Sequence, residues 1–223
     1  MSGFLAVAYN DRIELLTDGA VYQPDGTLTD IRRKVRVISS PAMAITGRGS
    51  MAAIDAIAAV ASVLGARRDF DQTLAALEQA IARRAGVWSE DWEIIVAGFS
   101  EDHGPVIRYM ASADIHGIAE FEPFKFIDTG GELCGGATPE TVQAIDPDLM
   151  ADATVNGLAK IAVPLFQAMR AVPGPNPARP ELPPVHGIGG HVDHTVLTPD
   201  GATIERIHEW PDVVGEKIEA AGR

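Results

Sequence analysis

The chain has 223 residues, one cysteine and a formal charge of −13 from 18 basic and 31 acidic side chains. That length suits one large domain or two small ones, and with no internal repeat and no linker long enough to divide it, a single domain, 1–223, that buries its core without staples is expected. The lone cysteine excludes an intrachain disulfide and fits a reducing, cytoplasmic setting, and the acidic balance excludes a broad phosphate-binding surface and with it a nucleic-acid partner.

The first twenty residues show no basic region followed by an apolar core, so no signal peptide is expected. The most apolar run, 51–64, carries Asp55 and is too short for a bilayer, so no membrane segment is expected either. Segments 3–9 and 12–17 read as paired strands around an Asn10-Asp11 turn. Pro24-Asp25-Gly26 marks a loop. A second hairpin rises over 34–39, turns at Ser40-Pro41 and returns over 42–46.

After Gly47-Arg48-Gly49 the apolar period changes from 2 to 3.6. Ser50 is a good N-cap for a helix over 51–65 that is apolar on nearly every side, as at a layer or subunit contact. A helix over 70–84 carries one stripe of Phe70, Leu74, Leu77 and Ile81. Strands return at 92–99 and 105–111, and a further one is expected at 121–127. Pro139 opens a short helix, and a longer one is expected over 154–171, kinked at Pro164. The Pro-rich stretch 173–184 reads as an extended surface loop. A last hairpin covers 190–197 and 203–208, and a short helix is expected over 213–221. Hairpin-joined strands are antiparallel, and their apolar faces need cover. Two facing sheets with helices outside meet that need, and so does one sheet with helices on one face.

Ser2 is the first residue with chemistry to offer. Removal of Met1 would leave it with a free amine, a large fraction of it neutral at cellular pH and able to take the hydroxyl proton. Asp18 ends the second strand, where hairpin pairing can bring it near the start of the first. Lys34 would lower the pKa of hydroxyl and amine by its charge, or it belongs to a solvated basic patch with Arg32, Arg33 and Arg36. Gly47-Arg48-Gly49, between strand and helix, could offer backbone N–H groups to an oxyanion. The same glycines with Ala52 mimic a dinucleotide fingerprint, which requires a parallel βαβ unit. Cys134 is either a nucleophile or a small buried thiol. His191 and Asp193 share a strand face without an evident third metal ligand.

The opening fifty residues resemble proteasome β subunits and bacterial proteasome-like peptidases of the HslV type, which are N-terminal-nucleophile (Ntn) hydrolases. Ser2, Asp18-Gly19, Lys34-Val35 and Thr46-Gly47-Arg48-Gly49 hold the places of that family's motifs, with sixteen residues from Ser2 to Asp18 and again from Asp18 to Lys34. Leu133-Cys134-Gly135-Gly136 is similar to the family's Ser-Gly segment, with Cys134 in the serine's place, and Ile188-Gly189-Gly190 to its late paired glycines. The resemblance implies an α/β (α+β) fold, a four-layer αββα sandwich of two antiparallel sheets flanked by helices. It implies catalysis by Ser2, Asp18, Lys34 and Gly47 on a peptide or amide substrate, secondary roles for Cys134 and Gly135, assembly into a homo-oligomer, and no metal or organic cofactor. The family's late acidic residue and serine fall at Val185 and Ile188. Three readings therefore stand open: a serine-type hydrolase, an inactive structural or assembly relative, and a nucleotide-binding α/β domain.

Overall fold

A computed structural model describes residues 2–176, 179 and 181–220; Met1 and parts of the expected 173–184 loop and 213–221 helix lie outside them. β1 (Phe4–Ala8) and β2 (Ile13–Asp18) form the first hairpin, with Leu5 opposite Leu16. The expected loop at 24–26 is the tip of a small hairpin of β3 (Ala20–Tyr22) and β4 (Leu28–Ile31), steadied by Asp25, which accepts from Thr27 N and Oγ1. Strands this short carry no readable period, so only their turn is visible in the sequence.

β5 (Arg36–Ser39) and β6 (Ala42–Gly49) form the second hairpin, through a cis Ser40–Pro41 bond. β6 runs past the expected end at 46 because Gly47, Arg48 and Gly49 pair with Ile94, Glu93 and Trp92. α1 (Met51–Gly65) and α2 (Phe70–Ala82) follow, the latter capped by Asp69, which accepts from Gln72 N. β7 (Trp92–Ser100) and β8 (Gly104–Ala111) pair along their length. The strand expected at 121–127 shrinks to β9 (Ile127–Asp128), since Pro123 brings no N–H and Phe124 takes a φ of 64°.

β10 (Glu132–Gly135) pairs with β1, and α3 (Pro139–Gln143) follows it. The helix expected over 154–171 is two helices, α4 (Pro147–Asn156) and α5 (Ala159–Ala171). Gly157, at φ 100°, breaks them apart, and Glu14 Oε2 accepts from Leu158 N at 2.7 Å to seat the new start. Pro164 lies inside α5 without ending it. β11 (His191–Thr198) and β12 (Gly201–Glu209) form the last hairpin. No helix forms over 213–220; Ile218 packs instead with Ala20 and Leu28.

The result is a mixed α and β fold with antiparallel sheets. One sheet has the order β10-β1-β2-β11-β12, another β5-β6-β7-β8-β9, and β3-β4 stand apart. Period 2 sorts the side chains. Ile13 and Leu15 of β2 join Ala44 of β6, Ile95 and Ala97 of β7 and Ile107 of β8 in one buried cluster shared by both five-stranded sheets. Met43, Ile45, Ile94 and Val96 point the other way, onto α1 and α2. Leu16 and Val192 meet α5 through Ile161, Leu165 and Phe166. Among the described residues, no helix is long and apolar enough to cross a membrane.

Candidate active site

The register of the first hairpin sets Phe4 opposite Thr17, so Asp18 falls beside Gly3, one step from Ser2. Gly3 N donates to Asp18 Oδ1 at 2.9 Å. Ala20 N and Gly189 N donate to Oδ2 at 3.1 and 3.3 Å. Three backbone donors thus converge on a carboxylate with no solvent exposure. Lys34, 2% exposed, completes the set: its Nζ stands 2.8 Å from Asp18 Oδ1 and 2.9 Å from Ser2 Oγ. Burial pushes the Lys34 ammonium below the usual lysine range, against the opposing pull of Asp18.

The arginines around Lys34 part company with it. Arg32 and Arg36 both reach outward to Asp55 of α1, at 2.7 and 2.6 Å. Lys34 and the buried Val35 turn inward just before β5 begins. The solvated-patch reading of Lys34 therefore fails.

Ser2 is half-buried and lines a cavity of about 160 Å³ with Ala20, Val21, Gly49, Ser50 and Met51. Gly47 departs from expectation. It is not in an open turn but inside the paired part of β6, opposite Ile94, where a side chain would strike Glu93 O, and it does not line this cavity. Ser50 occupies the N-cap of α1 without making a side-chain cap hydrogen bond. β6 is antiparallel to both β5 and β7, so the βαβ unit that a dinucleotide fingerprint requires is not built here.

Gly135 and Gly136 close in from β10. At Gly136, φ 91°, a Cβ would lie 2.7 Å from Ser2 O. Cys134 sits opposite Leu5, reachable by solvent at the edge of a different cavity. The density of protein around it raises its thiol to about 11, which leaves little thiolate at neutral pH. Ile188 is fully buried against α5, and Val185 pairs with Gly174, so neither offers Ser2 a polar group. His191 is packed over Gly19, which has no room for a side chain, and lies 3.2 Å from Asp193; His194 contacts Glu14 at 2.8 Å. Among the described residues, no group of three His, Cys, Asp or Glu side chains could hold a metal ion.

Sequence reasoning misses several residues of this region. Gly189, already singled out as one of the late paired glycines, contributes through its backbone N–H to Asp18, a role its residue type does not announce. Asn176 and Arg179 of the Pro-rich loop line the Ser2 cavity, though the loop reads as mere surface. A buried network centres on Glu93, which Arg48 grips through a charged hydrogen bond. Tyr109 Oη donates to Glu93 Oε2 at 2.9 Å, and His116 Nε2 lies 2.6 Å from the same oxygen. Desolvation would raise the Glu93 carboxyl, but His116 and Arg48 outweigh it and hold the group at about 2. No protein-family model matches the chain, and the search of curated proteins finds no match.

Proposed function

We propose that the protein is a serine-type N-terminal-nucleophile hydrolase acting on a peptide or other amide bond. The observation that carries this reading is the Lys34 ammonium set between Ser2 Oγ and a buried, backbone-held Asp18. The three apolar clusters support the matching architecture, in which two sheets face each other and helices cover both outer faces as αββα.

Removal of Met1 frees the Ser2 amine, which accepts the Oγ proton as Oγ attacks the substrate carbonyl carbon. Lys34 favours the developing alkoxide by its charge, and Asp18 fixes Lys34. The N-terminus of α1, which opens beside Gly49 in the Ser2 cavity, offers N–H groups to the oxyanion alongside Gly47. Collapse expels the leaving amine with the proton from the Ser2 amine. Water then cleaves the acyl ester, its proton going first to the Ser2 amine and then to the departing Oγ. On this reading the protein works in the cytoplasm as a homo-oligomer. The outward side of α1, with Ala52, Ala56, Ala59 and Val63, is the surface that a neighbouring subunit would cover.

A second reading is an inactive relative that keeps the fold. It is favoured by the apolar burial of Ile188, where the resembled family has a serine. A β-lactone acylating probe separates the two. The hydrolase reading expects stoichiometric labelling of the mature chain that Ser2→Ala abolishes; absence of labelling in the mature wild-type chain supports the inactive relative.

A further inference from the structure

A second cavity, of about 320 Å³, lies at the edge of β1 and β10 and is bounded by β8 and β9 on the other sheet. Phe4, Ile118, Ile127 and Leu133 give it apolar walls, beside the polar side chains of Glu93, His116, Asp128 and Thr129. Phe4 is two residues along the chain from Ser2, and Gly135 precedes the Gly136 that abuts Ser2 O. The cavity therefore lies along β1 and β10 from Ser2, which it does not itself include, whereas the cavity that holds Ser2 extends toward β3 and α1.

The charges around it are already matched. Glu93 is tied by Arg48, Tyr109 and His116, and Asp128 pairs with Arg108 at 2.9 Å. An ionic group entering here would find its counter-charges engaged, and its desolvation would go uncompensated. An uncharged apolar group would instead meet walls that are only partly buried, Ile118, Ile127 and Leu133.

The loop over the cavity is shaped to hold its wall. Gly117 and Glu120, at φ 66° and 59°, bracket Ile118, whose N–H donates to Asp114 Oδ1 at 3.0 Å.

We infer that this cavity is a second substrate subsite, taking a neutral aromatic or branched aliphatic side chain from an amide substrate next to the bond that Ser2 attacks. The inference rests on the hydrolase reading for its placement along the substrate, but its test does not require turnover.

Full-length Ser2→Ala protein is titrated, by NMR chemical shifts, with N-acetyl-phenylalanine amide, N-acetyl-leucine amide, N-acetyl-glycine amide and N-acetyl-lysine amide. The phenylalanine and leucine compounds should bind at least about tenfold more tightly than the other two, the scale expected when one side chain fills an apolar pocket. Ile127→Glu, which places a charge in the wall, should remove that preference. Leu133→Ala, which leaves the charges untouched, should weaken the leucine compound more than the phenylalanine one and serves if Ile127→Glu fails to fold. Equal binding of all four amides, preference for the lysine compound, or a preference that survives both substitutions would overturn the inference. Selective binding without any reaction at Ser2 in the wild type would overturn the hydrolase reading and leave the binding site standing.

Discussion

Lys34 and Ser2 are 32 residues apart in the chain and 2.9 Å apart in space. The contact exists because Asp18, held by Gly3, Ala20 and Gly189, draws the ammonium into a place that water does not reach. Burying a lysine is costly unless it is paired, and one carboxylate with three backbone donors supplies the pairing. The arrangement concentrates a positive charge beside a hydroxyl that would otherwise be a weak nucleophile.

Removing that charge should be felt twice. Lys34→Met leaves the Asp18 carboxylate buried without its counter-ion, and a loss of about 3–5 kcal/mol in chemical denaturation is expected. Reaction of Ser2 with an acylating probe should fall by about 10² to 10⁴-fold, the usual scale for losing a group that assists proton transfer. A Lys34→Met protein as stable and as reactive as the wild type would show that the buried pair has neither role.

Gly136 offers a steric test of the same site. Its φ of 91° disfavours any side chain, and a Cβ there would press on Ser2 O at 2.7 Å. Gly136→Ala should cost about 1–2 kcal/mol for the left-handed backbone alone, seen as a lower denaturation midpoint. It should also slow probe labelling beyond what stability explains, because Ser2 must move. Gly86→Ala, where an added Cβ meets nothing within 4 Å, is the control.

The Glu93 network predicts an acid-sensitive fold. The Glu93 carboxyl sits at about 2 in the folded chain against an ordinary 4.5, so the unfolded chain takes up its proton first as pH falls. The stability this provides is fully present above pH 4.5 and drains away as pH drops toward 2. Its size is about 3 kcal/mol at neutral pH. Denaturation midpoints recorded across that range should fall for the wild type and flatten for Glu93→Gln. An equally steep fall in Glu93→Gln would assign the acid response to other carboxylates.

Local pattern carries the hairpins well, because the apolar runs over 3–9 and 12–17 are joined by the short Asn10-Asp11 turn, and the pairing this turn sets brings Asp18 to the start of β1. Asp18 beside the start of β1 was therefore legible before any coordinates; the inward turn of Lys34, which the sequence leaves open beside a solvated patch, was not. The split between α4 and α5 was not, because Gly157 is tolerable inside a helical pattern and its stop depends on Glu14, far away on β2. Gly47 was misplaced for a related reason: a glycine-rich run looks like a turn until its pairing with β7 is known. The Glu93 network gave the weakest signal of all. Arg48 and His116 are 68 residues apart, and the one local hint is a glutamate at an inward position of β7, between Trp92 and Ile94.

Peptide mass analysis of probe-treated protein made in its native host reads both properties proposed for Ser2, a free amine and a nucleophilic Oγ. The expected result is an N-terminal peptide that begins at Ser2 and carries the acyl group, with no adduct in Ser2→Ala. A chain that keeps Met1, or an adduct that persists in Ser2→Ala, would contradict it.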